Sequence, residues 1–153
     1  MSRSLLLIPT DVERGWAGGL VDKLSQRAQV ELCGFGPIVS GIRTAQLITQ
    51  HRSERVLLVG IAGAINAELQ IGEAYGFDQV ACYGIGTGCG SNFQTASEMG
   101  WHQWSSDNLE SGVPSIGDTI RVSPADKLSG GGDRLLLTVC TASANMVEAA
   151  SHQ

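Results

Sequence analysis

Glu13 is the first side chain in the sequence placed to do chemistry. It lies just past "SLLLIP", residues 4–9, an apolar run that reads as a buried strand. Open α/β sheets bind ligands beyond the carboxyl ends of their strands, and a carboxylate there can hold or activate a water. A structural role competes. Thr10 or Asp11 is placed to cap a helix, and Glu13 then falls in its first turn, where the helix dipole favours an anion. On spacing alone the structural role is favoured.

Three glycine turns are the next candidates. "LLVGIAGAI", residues 57–65, is a strand running into glycines 60 and 63 with no charged or polar side chain. "GFGPIV" and "GIGTGC" begin dinucleotide fingerprints, but Val39 and Cys89 stand where each third glycine belongs, and no Walker lysine follows. Each is a tight turn after a strand, or else a pocket wall built from backbone. No His joins a Ser/His/Asp arrangement. His51 reads as a helix-end residue, Arg43 as solvated, and Trp101, His102 and Trp104 as loop packing.

The elements that would carry these groups alternate. After the first strand, Trp16, Ala17, Leu20, Val21, Leu24 and Ala28 recur at helical spacing, with Gly15, Gly18 and Gly19 weakening the helix locally. "QVELC" reads as a second strand. Pro37 opens a helix with Ile38, Ile42, Ala45 and Ile48 on one face, and Gly41 there would let it approach a sheet. "RVLLVG" is a third strand, "AYGFDQVACYGIG" a longer strand or strand pair, and "DRLLLTVC" a late strand before a last helix opening in "SANMVEAASHQ". Between them residues 87–118 read as a turn-rich surface connection. Alternating strands and helices indicate an α/β domain with a partly parallel sheet, one domain over residues 1–153.

Composition excludes several classes of partner. The net charge is −5, and no Lys or Arg falls between Arg55 and Arg121 while seven acidic residues do. A phosphate backbone needs the opposite, so nucleic acid is not an expected partner. Cys33, Cys82, Cys89 and Cys140 show no metal-ligand spacing with the three His residues and fit reduced thiols, most of them buried, in a cytoplasmic protein. The apolar run in "MSRSLLLIPT" is too short for a signal peptide, and nothing approaches a membrane span.

Taken together, "LLLIPTDVE", "CGFGPIVSGIRTAQLI" and "VLLVGIAGAINAELQIGEA" resemble the purine-type nucleoside phosphorylase and nucleosidase superfamily. They match, in order and spacing, its first strand and loop, its G-x-G-P helix entry and its G-x-A-G ribose-side turn. "FDQVACYGIGTGCGSNFQTASEMGW" makes the likeness greatest to the futalosine hydrolases of the alternative menaquinone pathway, ahead of the methylthioadenosine/adenosylhomocysteine nucleosidases.

The resemblance implies a three-layer phosphorylase/hydrolase-like fold, with a central mixed, partly parallel sheet flanked by helices. It implies hydrolysis of the N-glycosidic bond of a purine-type nucleoside, with no cofactor and no metal, in a homodimer or higher homo-oligomer. Glu13 matches the carboxylate that activates water. Thr10, in the same loop, is counted with the substrate-binding residues; Ile61, Ala62 and Gly63 match the turn beside the ribose, and Thr141, Ala142, Ser143 and Ala144 match the stretch that flanks the base. Phosphorylases of the family place an Arg where this chain has Leu58, and a cation-poor site binds phosphate badly, so water is the expected nucleophile. The family's C-terminal portion, with a Met-Glu pair for the ribose hydroxyls and an Asp that protonates the base, has no counterpart before Gln153. The expected alternative is accordingly a non-catalytic remnant that keeps a nucleoside pocket or a dimer surface.

Overall fold

The computed structural model describes residues 3–65, 69–105, 115–122 and 134–140. The chain divides into two compact units, Met1–Gly63 and Ala64–Gln153.

The first unit alternates strand and helix: β1 (Ser4–Ile8), α1 (Asp11–Leu24), β2 (Gln29–Leu32), α2 (Pro37–His51) and β3 (Arg55–Leu58). Its sheet is wholly parallel, in the order β2-β1-β3. Leu6 of β1 lies opposite Val30 on one side and Leu57 on the other. The central strand of such a sheet is covered on both faces and needs a continuous apolar run. Leu5 to Ile8 supply it, none more than 3% exposed. Leu5 and Leu7 form the core with Cys33 and Leu47, and Ile48 packs against them.

Strand order also fixes where the helices go. The chain passes from β1 to β2 on one side, then crosses back over β1 to β3. Right-handed crossovers in opposite directions put α1 and α2 on opposite faces of the sheet. In doubly wound sheets of this order the ligand crevice opens between the carboxyl ends of β1 and β3.

Thr10 caps α1, its hydroxyl accepting the Glu13 N–H at 3.3 Å. Gly18, at φ 13° and ψ −102°, interrupts the helix, at one of the three glycines suspected of weakening it. The apolar stripe expected on α1 is covered only in part: Val21 is buried, whereas Trp16 and Leu20 are exposed. Pro37 opens α2 as expected, after Gly36 in the left-handed region. The face that α2 buries matches the expected one only at Ile48. Its C-terminal half meets β1 through Leu47 and Ile48, while Ile38 and Ile42 are exposed and Gly41 has open space where a Cβ would be.

The second unit contains β4 (Gln79–Cys82), β5 (Gly86–Thr87), a 3-10 turn at Gly90–Asn92, β6 (Gln94–Thr95), β7 (Thr119–Arg121) and β8 (Leu135–Thr138). β4 is central in a mixed sheet, antiparallel to β7 and parallel to β8. The stretch read as a longer strand or strand pair therefore holds one four-residue ladder strand and ends on the first residue of β5. The turn-rich connection contains a small hairpin, β5 with β6. Only glycine fits at Gly86, where a Cβ would stand 2.1 Å from the Gln94 carbonyl oxygen. Ser97 and Asp118 clasp each other across this region: the Ser97 N–H donates to the Asp118 carboxylate at 3.1 Å, and the Asp118 N–H donates to Ser97 Oγ at 3.2 Å. A side-chain hydrogen bond from Thr95, above all, and bonds from the Ser97 amide and side chain hold the Asp118 carboxyl below its ordinary range, against the opposing effect of burial.

The architecture is thus mixed α/β with small, partly parallel sheets. Among the described residues no helix is long and apolar enough to cross a membrane. The expected last helix lies outside the described residues.

Leu47 is 0% exposed at the centre of the first unit's core, and Ile38 on the same helix is 76% exposed. Leu47→Ala should lower unfolding free energy by about 2–5 kcal/mol in urea titrations followed by circular dichroism. Ile38→Ala should change it by under about 0.5 kcal/mol.

Candidate functional site

The crevice between β1 and β3 is where the first unit gathers its polar groups. β1 ends at Ile8, and Pro9 and Thr10 lead straight into α1. The β3 ladder extends one residue, with the Val59 N–H donating to the Leu7 carbonyl at 2.9 Å, before Gly60 and Ile61 turn away. β2 extends likewise, the Cys33 N–H donating to the Ile8 carbonyl at 3.0 Å. Three parallel strands thus deliver their carboxyl ends together.

Half-buried Glu13 occupies this point. One carboxylate oxygen, Oε2, accepts the Thr10 hydroxyl at 2.6 Å, and the other, Oε1, accepts the Ile61 N–H at 3.0 Å. The segment Thr10-Asp11-Val12-Glu13 has the T-x-x-E pattern of a capping box, in which the Glu reaches back to the cap residue's own N–H. Here Glu13 instead reaches across to a neighbouring strand end. Both local and tertiary bonds therefore fix the carboxylate, and the α1 N-terminus favours its charge. Each carboxylate oxygen offers about two lone-pair sites, so both retain capacity for a water or a ligand hydroxyl.

Gly60 makes this approach sterically feasible. A Cβ there would stand 2.8 Å from Glu13 Oε1 and 3.1–3.2 Å from the Pro9 ring. Gly63, by contrast, has nothing within 4 Å of a Cβ, so a close backbone approach is built at one of the two glycines of the turn.

Cys33 closes the inner side of the crevice. Its thiol is buried, with Sγ 3.7 Å from the Ile8 carbonyl oxygen. Burial pushes its pKa up, its own backbone N–H pulls the other way, and the negative charge of Glu13 adds to the rise. Fewer thiols are buried than the expected majority: Cys82 is intermediate, and Cys89 and Cys140 are exposed. No group of three or more His, Cys, Asp or Glu could hold a metal among the described residues.

Of the residues singled out from sequence, Thr10, Glu13 and Ile61 come together. Ala62 and Gly63 follow in the exposed loop. Thr141, Ala142, Ser143 and Ala144 lie outside the described residues. Pro9, Gly60 as a steric requirement, and Cys33 join the site from structure alone. The T-x-x-E spacing was a signal available for the first contact, whereas the packing of Pro9 on Gly60 has no local signature. No protein-family model, curated protein or solved structure matches the chain.

Thr10→Ala removes the cap and a carboxylate donor together and should cost about 1 kcal/mol in urea unfolding. Thr10→Ser keeps both bonds and should recover most of that loss. The raised pKa of Cys33 keeps its thiol neutral where an ordinary thiol, at 9.0, has begun to ionise. Its stabilisation is present below that value and is lost as pH rises through the higher folded one. With iodoacetamide at pH 8, mass spectrometry should find Cys89 and Cys140 alkylated first and Cys33 only on unfolding.

Proposed function

We propose that the crevice is the water-activating part of a nucleosidase site, acting on the N-glycosidic bond of a purine-type nucleoside in the manner of the futalosine hydrolases. The observation that carries this reading is the Glu13 carboxylate, held at the β1/β3 crevice by the Thr10 hydroxyl and the Ile61 N–H. A dipole-complementing first-turn Glu needs neither the tertiary bond to Ile61 nor the absent side chain at Gly60.

In the proposed reaction the bond from C1′ to the base nitrogen breaks with its electron pair leaving on the base. Positive charge develops on the sugar, and a negative carboxylate nearby stabilises it. Water forms the new bond to C1′, and its proton passes to Glu13 as general base. The base takes up a proton as it leaves. The exposed loop at Ile61–Gly63 offers main-chain groups to the sugar, and its lack of cationic side chains supports water rather than phosphate as nucleophile. The superfamily's three-layer fold and homo-oligomeric assembly belong to the same proposal, as does a cytoplasmic setting.

A second reading is a nucleoside-binding or dimer-forming chain without turnover. Exposed Trp16 and Leu20 on α1 favour it, because an uncovered apolar face suits a partner surface.

Release of hypoxanthine from futalosine, and of adenine from methylthioadenosine, separates these readings when measured with and without phosphate. Phosphate-independent release from futalosine is expected, with Glu13→Gln lowering kcat by about 10²–10⁴. No release from either substrate would leave only the binding reading. Release that required phosphate would overturn hydrolysis.

A further inference from the structure

A cavity of about 300 Å³ opens at the opposite, amino end of the parallel sheet. That volume is at the lower end of small-molecule sites, which run from roughly 300 to 1,000 Å³. Arg3 and Ser4 line it from the start of β1, Ser25 and Arg27 from the turn after α1, and His51 and Ser53 from the end of α2. These residues are far apart in sequence, and the β2-β1-β3 register brings them together.

The charges in this cavity are unequally matched. His51 is engaged, its Nε2 lying 3.1 Å from Glu31 Oε1. Gln29 Nε2 donates to the same carboxylate at 3.1 Å. The Ser25 hydroxyl donates to the Asp22 carbonyl at 2.8 Å. Arg3 and Arg27 are different: among the described residues neither guanidinium has an ion pair or a side-chain hydrogen bond, and the same holds for the hydroxyls of Ser4 and Ser53. Two guanidinium groups and two hydroxyls that have no side-chain partner among the described residues therefore line one small concavity.

The carboxyl ends of α1 and α2 also face this side, and their dipoles work against an anion. They amount to about half a charge each, and Glu31, bonded to His51 and Gln29, and Glu54, next to Ser53, add negative charge nearby. The side chains that line the cavity itself, however, include two full guanidinium charges and no carboxylate. The residue chemistry, planar forks plus hydroxyl donors without a carboxylate partner, is that which recognises phosphoryl oxygens.

We propose that this cavity binds a small phosphate oxyanion, either free phosphate or the phosphoryl group of a small phosphomonoester. It is separate from the Glu13 crevice and independent of the nucleosidase reading.

Isothermal titration calorimetry on the full chain at low, constant chloride would test this, with inorganic phosphate and glycerol 3-phosphate as probes. One saturable site per chain is expected. Arg3→Ala/Arg27→Ala should weaken it at least about tenfold, since hydrogen bonds to charged groups are among the stronger ones. Arg52→Ala/Arg55→Ala should change it less than about twofold, and Glu13→Gln should leave it unchanged, because these groups lie outside the cavity lining. Tighter binding of glycerol 3-phosphate would assign a phosphomonoester, and equal binding would assign free phosphate. Unsaturable binding would overturn the proposal, as would equal losses in the two double-arginine variants, which would trace the attraction to the general field of the surface.

Discussion

The pairing of β1 with a parallel strand on each side is the constraint from which the first unit follows. It buries Leu5 to Ile8 almost completely and holds Cys33 and Leu47 against them. It also brings three carboxyl ends to one edge and three amino ends to the other. The two edges then differ in chemistry. One presents a carboxylate among backbone amides, the other a pair of guanidinium groups among hydroxyls. Parallel strands make this separation unavoidable, since whatever follows each strand gathers on one side and whatever precedes it gathers on the other.

Glu13 shows how local and tertiary preferences combine at such an edge. Its position in the first turn satisfies the helix dipole, and its contact with Thr10 completes the cap. Neither needs β3. The bond to Ile61 does, and it requires a residue without a side chain at Gly60. A group held at both oxygens in this way has little freedom left to lose when it engages a water.

Features set within a few residues were legible in the sequence. The β1 run, the Thr10 cap, the break among the α1 glycines and the Pro37 start of α2 all have short-range causes. The buried face of α2 was not legible, because Ile38, Ile42 and Leu47 are equally apolar and only the reach of the sheet selects among them. The hairpin of β5 and β6 escaped notice for another reason: two-residue strands carry no period. For the site, the carboxylate was found from its place after a strand, but its partner Ile61 and the Pro9–Gly60 contact depend on a register that spans some fifty residues. The cationic cavity was missed because Arg3, Arg27 and His51 form no motif in one dimension.

The break at Gly18 has a mechanical consequence. Val21, the one buried residue of α1, lies beyond it, so the helix's grip on the core belongs to its second segment. The first segment, which carries Glu13, is tethered at its front by Thr10 and by the amide of Ile61. Glu13 therefore takes its bearings from two strand ends rather than from the packing of its own helix. Repacking around Val21 can be absorbed at the Gly18 joint without turning the carboxylate.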